Sequence, residues 1–212
     1  MPKVQKDIQY TVGVEDLYIC FQTDPGTTET EPTYDTEVYS QTNITDVTIT
    51  PNTTSFQKWA SNKKIINIVK KGSYGLAFNL AGLAREVKDK MFGKNPVRGV
   101  SFEDSNPIEY PKFAVGLVLP LSDGNKVLRW YPNCSITPSE ETFASITEEM
   151  TINDVAYTIT ADPLLYNDNT LAELDTGREG ADIKADEFMA QVIYDEEQLE
   201  TLFPISGGGT EG

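Results

Sequence analysis

The run KFAVGLVLPL, Lys112 to Leu121, places Phe113, Val115, Leu117 and Leu119 on one face of an extended chain, and Ser122-Asp123-Gly124-Asn125 then turns it into KVLRWYP. Four turn residues between two apolar runs specify an antiparallel hairpin, so the chain is committed to β structure near its middle. Pro120 predicts that the first strand ends irregularly or at an edge, because proline has no N–H to give a ladder. The same period of two recurs elsewhere. Leu17, Ile19 and Phe21 alternate with Tyr18 and Cys20 in Glu15–Thr23, and Tyr74, Leu76, Phe78 and Leu80 alternate in SYGLAFNL. Val155, Tyr157 and Ile159 do so in Asp154–Ala161. Further strands are predicted at Asn43–Thr50, stopping at Pro51, at Lys64–Lys70 and at Glu141–Ile152. Thr23–Asp35, rich in Thr, Pro, Gly and acids, reads as a long exposed loop or the tip of an extended hairpin.

After Leu80 the period changes. Leu83, Ala84, Val87 and Met91 recur at helical spacing, Glu86 and Lys90 stand four apart in the favourable order, and Gly93 supplies a stop, which predicts a helix of about three turns. Near the C-terminus, Thr170 with Glu173 would cap a short helical turn, and Asp195 to Gln198 start a helix ahead of Leu199, Leu202 and Phe203. ISGGGTEG reads as flexible chain. The expectation is a mainly β protein, a β-sandwich of seven or more strands with one flanking helix and long loops. Its parts would be an N-terminal arm at 1–13, a domain at 14–203 whose stretch 162–203 is a candidate C-terminal arm, and a tail at 204–212.

Charge and residue usage narrow the chemistry. The 212 residues carry 33 acids, 17 bases and no histidine, a net charge of −16. Without histidine there are no Ser/His/Asp triads, Cys/His dyads or HExxH zinc sites, and two cysteines cannot hold zinc alone. The acidity disfavours a grip on nucleic acid, which needs clustered Lys and Arg. No GxxxxGK[ST] or GxSxG is present, and the one GxGxxG, Gly207–Gly212, has no helix after it to hold a phosphate. Glu140-Glu141 and Glu148-Glu149 are adjacent pairs whose side chains point to opposite faces of a strand, so neither is a dyad. Asn167-Asp168-Asn169 resembles the start of a calcium loop but lacks the glycine and the glutamate that complete one. Trp59, Trp130 and Tyr131 suit a core or an interface better than a sugar platform. Cys20 and Cys134 read as small buried hydrophobes, not a disulfide, in a chain with no visible signal segment and no bilayer-length apolar run. For a chain made in a reducing cytoplasm, the sequons at Asn43, Asn52 and Asn133 carry no message. No catalytic, cofactor-binding or metal-binding residue is predicted.

The charge is unevenly spread. Residues 1–57 carry −7, residues 58–129 carry +7 and residues 130–212 carry −16. The basic third includes Lys58, Lys63, Lys64, Lys70, Lys71, Arg85, Lys88, Lys90, Lys94 and Arg98. Segments of opposite sign could meet within the fold or between stacked copies.

Three stretches together resemble the major tail proteins that build the tail tubes of long-tailed, non-contractile phages. They are the opening strand VGVEDLYICFQT, the strand-into-helix segment GSYGLAFNLAGLAREVKDKMFG, and the run from PKFAVGLVLPLSDGNKVLRWYP through PSEE to INDVAYTI. The resemblance covers about half of the chain. It implies a β-sandwich flanked by a helix, hexameric rings, and rings stacked head to tail into a hollow tube that conducts DNA without binding it specifically. Its implied partners are further copies of itself and other tail proteins such as the tape measure and the terminator. The implied location is the virion tail tube, assembled in the host cytoplasm without a membrane. The Thr/Glu-rich loop at Thr23–Asp35 and the acidic region from Asp162 onward depart from the pattern. The alternative from residues alone is an acidic β-sandwich binding module for carbohydrate or a receptor, using the aromatics and loops. An enzyme working through carboxylates stands behind both.

Overall fold

The structure, a computed structural model, describes residues 8–103, 105–106, 108–138 and 154–204. Its strands are β1 (Asp16–Asp24), β2 (Thr33–Gln41), β3 (Ile44–Ala60), β4 (Lys63–Leu80), β5 (Phe113–Pro120), β6 (Lys126–Thr137), β7 (Val155–Ala161) and β8 (Ala172–Asp175). Its helices are α1 (Arg85–Met91), α2 (Ala185–Met189) and α3 (Glu196–Leu202). The eight strands form one antiparallel sheet in the order β2-β1-β5-β6-β7-β4-β3, with β8 also paired to β6.

The β5–β6 hairpin follows its turn residues. Gly124 takes φ +87°, which suits glycine, and the Asp123 carboxylate accepts from the Asn125 N–H at 3.0 Å. β5 lies in the middle of the sheet and is buried on both faces: Phe113, Val115 and Leu117 face one core, Ala114 and Val118 the other. β6 changes parity along its length. Leu128 and Trp130 belong to the second core, Tyr131 to the first, and beyond Pro132 and Asn133 the even residues Cys134 and Ile136 have moved to the first. A register shift between Phe113 and Val115 marks the extra residue that causes this, a β-bulge that bends the strand. The bend lets β6 pair with β5 along its first half and β7 along its second.

The sheet therefore curls over its first core. Leu119 of β5 and Val47 and Ile49 of β3 line one groove, although β6, β7 and β4 lie between them in the ladder. In a flat sheet these strands would stand about 19 Å apart. The first core also takes Val87 and Met91 from α1. The second core is closed by the C-terminal stretch, where Phe188, Met189, Val192 and Ile193 pack over Trp130, whose Nε1 donates to the Phe188 carbonyl at 3.0 Å.

Several sequence expectations are corrected. β3 does not stop at Pro51 but runs on to Ala60, because β3 is an edge strand and Pro51 sits at a register shift, where a missing N–H leaves no ladder partner unmet. α1 has seven residues, about two turns, because Leu80 is still in β4 and Ala84 is the N-cap. Gly93 ends it at φ +62°. Thr170 and Glu173 cap no helix. Ala172–Asp175 is β8, held where Glu173 stands opposite Arg129 and accepts from its Nε at 2.9 Å, and also from Arg178 at 2.7 Å. Of the two readings of Thr23–Asp35 the hairpin tip holds: it joins β1 to β2 and is turned by Gly26 at φ +69°. A Cβ on Gly26 would lie 2.5 Å from the Thr30 carbonyl oxygen, so only glycine fits. Asp195 does cap α3, accepting from the Glu197 N–H at 3.1 Å. The strand expected at Glu141–Ile152, the paired acids there and the C-terminal glycine run lie outside the described residues.

Candidate self-association surface

Among the described residues, the β3–β4 hairpin from Pro51 to Lys71 pairs only with itself. Pro51 stands opposite Tyr74, which is the last β4 residue paired to β7, through Ala161. Ten residues outward, the turn is closed by Ala60 and Lys63, with Ser61 and Asn62 both at positive φ, 51° and 59°. Two central residues at positive φ are the mark of a type I′ turn, whose twist matches that of the strands. At about 3.3 Å per residue the arm reaches about 30 Å beyond the sheet.

The arm carries the kind of side chain a free hairpin should hide. Phe56, Trp59, Ile65, Ile66, Ile68 and Val69 are 38–62% exposed. Register assigns the faces: Phe56 stands opposite Ile68, Lys58 opposite Ile66 and Thr54 opposite Lys70, so Phe56, Ile66 and Ile68 form an apolar patch between two lysines. The other face carries Thr53, Ser55, Gln57, Asn67 and Lys71, with Ile65 and Val69 among them. An arm that holds this much apolar surface in water, with three large side chains gathered between two lysines on one face, is built to be covered. Residues 51–71 hold five lysines and no acid. Among the described residues none of these lysines has an ion-pair partner.

Cross-strand pairing gives the molecule two ends. Phe21, Phe113, Cys134, Ala161, Tyr74 and Pro51 are linked partner to partner across the sheet, and the arm and the 25–32 loop both leave beyond this row. The opposite end holds the groove between Thr11–Val14, Leu119 and Thr45–Ile49, about 460 Å³ in volume and lined by Val12, Val14, Val47 and Ile49 among others. Ile8, Tyr10 and Val12 beside it are 63–72% exposed. Acids gather here. Asp46 lines the groove and accepts from Asn79 Nδ2 at 2.9 Å, Asp154 accepts from Thr45 Oγ1 at 2.8 Å, and Glu15 precedes Asp16 at the start of β1. Glu15 is met by Lys126 at 2.6 Å, which holds the Lys126 ammonium above its ordinary pKa, mainly through that hydrogen bond.

The other residues weighed in the sequence do not converge. Trp59 is on the arm, 62% exposed, whereas Trp130 and Tyr131 are fully buried on opposite faces of β6, so the three form no platform. Cys20 and Cys134 are both buried free thiols; burial pushes Cys20 up to about 11 and Cys134 higher still, so neither is a thiolate at neutral pH. Asn167 donates to Tyr194 O and Asp195 Oδ2 and Asn169 to Tyr194 O, which ties this loop to the C-terminal stretch. The sequon amides donate inward too: Asn43 to Gly82 O, Asn52 to Ser73 Oγ and Asn133 to Pro163 O. The basic third is legible in the sequence, but the arm that bears Lys58, Lys63, Lys64, Lys70 and Lys71 is not. The signal was present in Ser61-Asn62, a turn pair without glycine. No family model and no curated protein matches this chain.

Proposed function

We propose that the protein is a structural subunit that assembles into stacked rings, forming the tail tube of a long-tailed, non-contractile phage. The observation that carries this reading is the arm: 21 residues, Pro51 to Lys71, that add nothing to either core and present an apolar, basic face to solvent. A monomer gains nothing from such an arm, while a copy that docks it on another buries the apolar patch. The edge strands β2 and β3 support the same reading, since among the described residues each has a neighbour on one side alone and an open edge accepts strands from other copies. The resemblance supplies the finer parts: a tail-tube-type sandwich, six subunits per ring, a DNA conduit, and the tape measure and terminator proteins as partners. An acidic wall suits a conduit, because it repels phosphate and keeps DNA from sticking.

The test is sedimentation of the purified chain at rising concentration. Species near six times 23.5 kDa, and larger stacks, are expected at about 0.1 M salt, with the stacks shortening toward about 1 M as screening weakens attraction between the basic arm and acidic surfaces. A monomer at every concentration contradicts the reading, and stacks indifferent to salt contradict its electrostatic part.

A further inference from the structure

We propose that the groove formed by Thr11–Val14, Leu119 and Thr45–Ile49 receives the β3–β4 arm of a second copy of this chain. The inference rests on the self-assembly reading and names the surface that reading leaves open. Three observations carry it.

The arm and the groove lie at opposite ends of the sheet, so one copy's arm meets the next copy's groove without using up its own groove. Such a contact is heterologous and does not close on itself, so it repeats along a line. The apolar parts also match in kind: Phe56, Ile66 and Ile68 on the arm face aliphatic Val12, Val14, Val47, Ile49 and Leu119 in the groove. Finally, the charges are complementary. Lys58 and Lys70 flank the apolar patch of an arm that has no acid, while Asp46 lines the groove and Asp154 is hydrogen-bonded to Thr45 of its wall. Like charges block the reverse arrangements, arm on arm and groove on groove.

Cross-linking tests this with the full-length chain. Thr54 is exposed on the apolar, basic face of the arm and Thr11 is exposed in the groove, so Thr54→Cys and Thr11→Cys disturb neither core. The native thiols are buried and give little background. The two variants are mixed, assembled and oxidised. A disulfide-linked dimer severalfold more abundant than with either variant alone is expected, because the bond forms only between Cα atoms closer than about 7 Å. Assembly of the mixture without that dimer overturns the groove as acceptor and leaves the self-assembly reading standing. Failure of the wild-type chain to assemble at all overturns both.

Discussion

Deletion of residues 53–71 is expected to yield a protein that folds as before and no longer assembles. Folding survives because every residue from Pro51 to Lys71 is exposed and neither core includes one of them. The deletion joins Asn52 to Gly72, so a three-residue connection, Asn52-Gly72-Ser73, spans the Pro51–Tyr74 pair. Loops of this length with glycine are common between antiparallel strands. Thermal unfolding should therefore shift by only a few degrees, within what a roughly 1 kcal/mol change produces. Assembly is lost because the docking face is gone. Burying a large apolar side chain contributes about 1.5–3 kcal/mol, and Phe56, Ile66 and Ile68 are already partly covered, so about 4 kcal/mol per arm is a fair scale. That corresponds to roughly a thousandfold loss in association at each contact. Circular dichroism, a melting curve and sedimentation of the same sample check both halves. An unfolded product would place the arm in the folding core, and unchanged assembly would remove it from the interface.

Trp130→Ala is the second large effect and acts on the opposite side of the protein's economy. Here we expect a loss of about 3–5 kcal/mol in unfolding free energy, read from the denaturant midpoint. Trp130 is fully buried beneath α2, its ring centroid lies 6.5 Å from that of Tyr18, and its indole N–H is the partner of the Phe188 carbonyl. Removing it opens a cavity and leaves that carbonyl without its donor. Gly116, directly opposite on β5, is bare so that the indole and Met189 can pack there: a Cβ would stand 2.5 Å from Met189 Cε and 2.9 Å from the indole. Trp130 is thus the largest of the side chains that hold the C-terminal stretch, whose amide protection should fall before the rest. Trp130→Phe keeps most of the volume and should cost only part of this. A loss below about 1 kcal/mol for the alanine variant would show that other contacts hold α2 and α3.

Some of this was legible from the residues because local signals agreed with the global fold. Ser122–Asn125 wrote the central hairpin, and alternation in Leu17–Phe21 and in Val155–Ile159 named core faces that the structure shares. Asp195 and Gly93 marked helix boundaries through cap chemistry. β8 was misread because a four-residue strand is shorter than any period can register, and its Glu173 fits a cap as readily as a partner for Arg129. The arm was illegible for a different reason. KIINIVK has the composition of a buried central strand, yet Ile65, Ile66, Ile68 and Val69 are exposed, since sequence reports hydrophobicity and not which molecule will cover it. Pro51 then concealed the continuity of β3, and a turn of Ser61 and Asn62 concealed its end. The uneven charge was visible at once, but only the register shows five of the basic residues on one projecting hairpin, at the end of the sheet opposite an aliphatic groove that holds Asp46.

Negative-stain electron microscopy of the purified wild-type chain at high concentration shows whether copies of the protein form a tube. Rings with an open central channel, stacked into tubes that shorten with salt, are the expected result. Isolated globular particles the size of one chain, under every condition tried, would contradict it.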